Sequence, residues 1–190
     1  SYYLALSLPF LGESYRTTIP ALQEQIRRQG PDPHLMHALG KEYLRAELPE
    51  LAEGWFHRTL QRMENHEQAL RALIEVERRL ARPEQTLAAY AQYLRHYPRD
   101  GGLRREFARL LFRQKQYAEA AAQIEQLFPR GPKSASLRRM LALSYQRCRR
   151  YAEAVLLWRD LLRENPSSEE ALRSLVACLE ASGSRPTAIA

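Results

Sequence analysis

Apolar and small residues along this chain fall three or four positions apart over stretches of about a dozen residues, the spacing of one helix face. The whole pattern then returns every 34 residues, with units starting at residues 33, 67, 101 and 135. The seventh column of the unit reads Leu39, Leu73, Phe107, Leu141, the eighth Gly40, Ile74, Ala108, Ala142, and the eleventh Tyr43, Glu77, Leu111, Tyr145. In the second half come Ala52, Thr86, Ala120, Ala154, then Phe56, Tyr90, Ile124, Trp158. Small residues at the eighth and twentieth columns let two antiparallel helices approach, and the large columns fill the space between them. Pro49, Pro83, Gln116-Tyr117 and Arg150-Tyr151 punctuate the midpoints, and Pro98, Pro132 and Pro166 close successive units, because proline lacks the amide hydrogen a continuing helix needs. A fixed period of this length predicts an all-α fold of stacked helix hairpins.

Composition agrees. Leu, Ala, Arg, Glu and Gln dominate while Gly and β-branched residues are scarce, and 190 residues suffice for about five helix pairs. A net charge of +7 and a pI near 9.7 draw nucleic acid, anionic lipid or acidic protein segments without choosing among them. Cys148 and Cys178 show no CxxC or Cys/His zinc spacing and are expected to be helix-packing thiols. No apolar run is long enough to span a bilayer. The stretch from Tyr2 to Leu11 is apolar but short and has no basic residues before it, so it does not read as a signal peptide. The chain begins at Ser1 rather than methionine and is open to being a processed piece. The cytoplasm is preferred, with the periplasm an alternative if a signal has been removed.

The columns resemble the tetratricopeptide repeat, in four copies at 33–66, 67–100, 101–134 and 135–168. Copies three and four carry the resemblance through Ala108, Leu111, Tyr117, Ala120 and Pro132, and through Leu141, Ala142, Tyr145, Tyr151, Ala154, Trp158 and Pro166. The first two depart from it: Ile74 stands where a small residue is expected, Glu77 where a large apolar one is, and Glu64 in place of the closing proline. The resemblance implies a right-handed α-α superhelix. It also implies a capping helix at 169–182, with Leu172, Leu175, Val176 and Leu179 on its buried side, ahead of a flexible tail at 183–190. Residues 1–32 read as a degenerate N-terminal repeat or a capping segment, with Tyr15, Thr18, Leu22 and Ile26 in second-helix columns and Pro9 against that reading.

In this family the first helix of each pair lines a concave face, mainly through columns two, five, nine, twelve and thirteen. The resemblance therefore assigns partner binding to Lys41, Arg71, Glu75, Arg78, Arg105, Arg109, Arg139 and Arg173. Column thirteen (Arg45, Arg79, Arg113, Arg147) is explained by the helix dipole, which favours cations at a C-terminus. Column five (Arg71, Arg105, Arg139, Arg173) departs from the family's usual aromatic or neutral residue, and its planar guanidinium groups suit bidentate capture of carboxylate or phosphate. Inherited duplication and solvated ion pairing are the competing explanations. The asparagines of the family's carboxylate clamp are missing from columns six and nine, which disfavours a co-chaperone role.

Other candidates weigh less. His34 and His37 lie one turn apart, but without a third ligand they read as a surface pair, and no metal or cofactor is expected. Trp55 and Trp158 read as core, and the stripe Tyr90, Tyr93, Tyr97 as packing. There is no phosphate loop, nucleophile elbow or HExxH, so no enzymatic activity is expected. The compact, arginine-rich repeats have a bacterial character. The expected function is a protein–protein interaction scaffold whose basic groove binds an acidic or extended segment, or a helix, of a protein partner within a larger assembly. The alternatives are binding of an RNA backbone, which monotonous arginine could hold but not read, and a docking or regulatory module of a longer enzyme or secretion component.

Overall fold

Every first-type helix starts just after a polar residue, and these residues recur at the same 34-residue step: Asp32, His66, Asp100, Ser134 and Ser168. A computed structural model, describing residues 13–129 and 131–183, shows what four of them do. The Asp32 carboxylate accepts from the His34 and Leu35 amides at 2.9 and 3.0 Å, and Asp100 accepts from Leu103 at 3.0 Å. Ser168 accepts from Ala171 at 3.3 Å, and His66 uses Nδ1 to accept from Ala69 at 3.2 Å. Each satisfies an amide that the first helical turn leaves without a carbonyl. Ser134 makes no such cap and pairs instead with Ser136.

The described residues form ten α-helices and no strand. In chain order they are α1 (Glu13–Gln29), α2 (Pro33–Arg45), α3 (Pro49–Arg62), α4 (Glu67–Arg79), α5 (Pro83–His96), α6 (Gly101–Arg113), α7 (Tyr117–Leu127), α8 (Ala135–Arg147), α9 (Tyr151–Glu164) and α10 (Glu169–Ala181). The expectations for residues 1–12, including Pro9, and for the tail from residue 184 lie outside the described residues.

Within each hairpin the chain reverses through one residue in the left-handed region: Glu47, Ala81, Lys115 and Arg149, with φ of 58, 53, 62 and 62°. Around Glu47, the Glu47 amide donates to the Leu44 carbonyl at 3.2 Å and the Leu48 amide to the Tyr43 carbonyl at 3.0 Å. The same two bonds recur at Ala81/Arg82, Lys115/Gln116 and Arg149/Arg150. This is the Schellman arrangement, which satisfies the last carbonyls of one helix and aims the chain into the next. It usually uses glycine, and none of these four residues is one. Gly183, φ 72°, takes the corresponding place after α10. Pro49 and Pro83 then open α3 and α5, where a missing amide hydrogen costs nothing.

The chain divides into two units, Ser1–Pro98 and Arg99–Ala190. In the first, α1 packs on α2, α2 on α3, α3 on α4 and α4 on α5, with α2 also reaching α4. Its fully buried side chains include Ile19, Leu39, Phe56 and Val76. The face of α1 is set by Ile19; Thr18, assigned to a packing column from the sequence, is exposed. Gly40 allows α2 to lie against α3, because a Cβ there would come within 2.6 Å of Phe56 Cε1. Ile74, in the same column of the next copy, is nonetheless buried at 4 % exposure.

In the second unit α6 packs on α7, α7 on α8, α8 on α9 and α9 on α10, around a core that includes Ile124, Leu141, Ala142, Trp158 and Cys178. Trp158 is core, as its column implies. Trp55 is only half-buried, with the Arg58 guanidinium 4.6 Å from its ring centre. The expected burial of α10 is partly overturned. Ala171 and Cys178 are buried and Leu175 and Leu179 pack against the core, but Leu172 and Val176 are each 46 % exposed. They occupy columns four and eight, the second of which in the first copy is Gly40, facing its own hairpin partner α3; no described helix follows α10 to cover them.

Two substitutions test this account by urea titration. Gly40→Ala gains about 1 kcal/mol of helix propensity but crowds a fully buried ring, a cost of about 1–3 kcal/mol, so a net loss of stability is expected that Phe56→Leu in the same chain reduces. Ala81→Gly relieves the left-handed cost of an L-residue while adding unfolded-state entropy, and should stabilise by roughly 0.5 kcal/mol. Ala81→Val should destabilise.

Candidate functional site

Charge columns become a site only where the charge is not already spent on neighbours. Arg71 Nε lies 3.0 Å from Glu67 Oε1 one turn back, and its guanidinium stands 4.9 Å from the Tyr93 ring centre. Tyr93 donates to the same carboxylate at 3.2 Å. Arg139 of α8 reaches Glu170 of α10 at 2.8 Å, and Arg173 reaches Glu169 at 2.8 Å. Glu75, assigned to partner binding, is held by Arg79 at 2.9 Å. Lys41 and Arg78 are exposed on α2 and α4. Solvated ion pairing therefore accounts for most of the arginine ladder.

Arg105 and Arg109 differ. They lie one turn apart on α6, exposed, and neither makes an ion pair among the described residues. Both line a cavity of about 670 Å³ together with Leu127, Phe128, Pro129, Gly131, Lys133, Ser134 and Leu137. Four of these nine residues are apolar hydrocarbon or ring side chains, and three are cations. The structure thus brings together two of the residues assigned from the sequence and adds Lys133 and the apolar group, which that assignment missed.

The cavity exists because α7 is short. It has 11 residues, against 14 in α3, α5 and α9. Pro129 disfavours helical backbone at the residue before it, and Phe128 is accordingly extended at φ −135°, ψ 74°. The missing turn leaves a longer path to α8, tightened by the Gly131 amide donating to the Phe128 carbonyl at 2.7 Å, with Gly131 at φ 84°. Two arginines from column four fix the walls. Arg104 bonds Gln123 at 2.7 Å, and also Gln126, pinning α6 to α7. Arg138 grips both oxygens of Glu164 at 2.7 Å and the Lys133 carbonyl at 3.1 Å. The extra proline at Pro129 was the one sequence signal that marked this copy.

Residues 78–143 match a family model for the tetratricopeptide repeat, the same residues that span the hairpin turns at Ala81 and Lys115. The match runs from the middle of the second copy to the start of the fourth. No match is found among curated proteins. Among solved structures it is similar to a tetratricopeptide repeat protein from Parabacteroides merdae ATCC 43184 (TM-score 0.57, 16 % identity, 90 % of this chain and 68 % of that one). It is also similar to YrrB, a tetratricopeptide repeat protein with an unusual peptide-binding site (TM-score 0.58, 13 % identity, 87 % and 86 %). MamA from Desulfovibrio magneticus RS-1 is a third (TM-score 0.53, 16 % identity, 82 % and 88 %). At these identities the likeness establishes the fold. No described helix of this chain is long and apolar enough to cross a membrane.

The first repeat unit holds a histidine cluster that sequence reading placed on the surface. His34 is exposed, but His37 is only 7 % exposed, with its ring 4.9 Å from that of His66 and 5.7 Å from Phe56. The separation of 29 residues between His37 and His66 hid this junction. Burial, followed by the neighbouring His66, Lys41 and His34 charges, pushes the His37 pKa down to about 4. His66 is also lowered, first by burial and then by His34. Both are neutral at pH 7, which leaves His66 Nδ1 free to accept from the Ala69 amide.

The unfolded chain binds a proton at His37 near pH 6.5 that the fold resists until about pH 4, so stability present above pH 6.5 is lost as pH falls through that window. Unfolding free energy should drop by roughly 2–3 kcal/mol from this group between pH 7 and pH 4. Urea titrations of His37→Gln at the two pH values should show a correspondingly smaller drop than the parent chain.

Proposed function

We propose that this chain is a protein-interaction module that receives an acidic, extended segment carrying an apolar side chain, seated in the cavity between α6, the end of α7 and the start of α8. The tetratricopeptide repeat fold is a protein-interaction scaffold, and its families are generally non-enzymatic. The observation that carries the finer reading is the conjunction of Arg105, Arg109 and Lys133 with Leu127, Phe128 and Leu137 around one opening. An apolar anchor would bury against the hydrocarbon surface while carboxylates meet guanidinium groups whose forks are not engaged by neighbouring acids. The peptide-binding site of YrrB supports the reading by analogy of fold.

A labelled peptide rich in Glu and Asp around a central Leu or Phe provides the test by fluorescence anisotropy. Arg105→Glu and Arg109→Glu should each weaken binding at least about tenfold, in line with losing a charge-assisted contact. Arg173→Glu, at a site already paired with Glu169, should change it by less than about threefold. Replacing the central Leu by Ser should also weaken binding. Equal losses at all three arginines, or preferential binding of generic single-stranded RNA with a steep salt dependence, would replace the proposal.

A further inference from the structure

Column eleven is a packing column, filled by Tyr43, Leu111 and Tyr145 in three copies, yet the second copy buries Glu77 there at 4 % exposure. Glu53 and His57 of α3 meet it, one helical turn apart on the same face, and so does Arg82 from the hairpin turn. Arg82 Nη1 lies 3.0 Å from Glu53 Oε2 but 3.8 Å from Glu77 Oε2. His57 Nε2 lies 3.8 Å from Glu53 Oε1. Glu77 Oε2 is buried with no hydrogen-bond partner, a condition costly for a carboxylate. Two carboxylates against one guanidinium leave a negative charge uncompensated. In keeping with that, burial and then the Glu53 carboxylate raise the Glu77 pKa. At the matching hairpin turn of the fourth copy, Arg150 is satisfied by Glu125 at 2.8 Å and Glu153 at 2.9 Å, with a tyrosine in column eleven.

We propose that Glu53, His57 and Glu77 bind a divalent transition-metal ion of the zinc class, joining α3 of the first copy to α4 of the second. One donor atom from each lies within 4.8 Å of the others. Small side-chain rotations close that spacing to the separation of ligands around a metal with bonds of about 2.0–2.2 Å. Two carboxylate oxygens and one imidazole nitrogen suit zinc and its neighbours, whereas magnesium and calcium take oxygen alone. Arg82 retains the second oxygen of Glu53 and orients that carboxylate, the usual task of an outer partner. His57 is exposed and opens a path from solvent. Three protein ligands leave a position for water.

The test is calorimetric titration of the chelator-treated full chain with Zn²⁺ at pH 7.5, alongside thermal melts. One saturable site is expected, with a melting temperature that rises to a plateau at the same stoichiometry and does not rise with Mg²⁺. His57→Ala, a change at an exposed position that leaves packing intact, should weaken binding at least about tenfold, as should Glu77→Gln. His34→Ala, which dismantles the neighbouring histidine cluster, should leave it unchanged. No saturable binding, equal affinity in His57→Ala, or a loss confined to His34→Ala would each overturn the proposal.

Discussion

Each hairpin depends on a backbone reversal that side chains do little to favour. Glu47, Ala81, Lys115 and Arg149 adopt a left-handed conformation that costs an L-residue about 1–2 kcal/mol, and two main-chain hydrogen bonds offset that cost in every copy. The turn fixes where the first helix stops and the second begins, and so which columns face inward. If it loosened, Gly40 would no longer sit over Phe56, and Glu77 would no longer face Glu53.

The fold was legible because its signals repeat. Prolines at midpoints and closures, small residues in columns eight and twenty, and polar residues ahead of each first-type helix all keep one period. The reversals themselves left no mark, since glutamate, alanine, lysine and arginine say nothing about positive φ. Helical periodicity placed Leu172 and Val176 on a buried face, but spacing along one helix cannot register whether another helix covers it, and both are exposed. His37 was misjudged for a related reason: its burial comes from Phe56 of α3 and from His66 ahead of α4, and spacing within one helix cannot register them.

The candidate site was legible in its charge and not in its economy of pairing. Arg71 and Arg173 have acids four residues upstream, visible in the sequence, whereas Arg139 is engaged across 31 residues by Glu170. Arg105 and Arg109 stand apart only once those pairings are known. Glu77 was visible as a departure from its column, but the meaning of the departure needed Glu53, His57 and Arg82 in place around it.

The short α7 has a consequence for a repetitive molecule. A uniform stack offers any ligand several equivalent seats, related by translation, and a long ligand can slip from one to the next at little energetic penalty. Removing a single helical turn at Pro129 abolishes that degeneracy. The third copy thereby differs from the fourth, packed beside it in the same unit, and a ligand fitted to the one has no equivalent seat on the other.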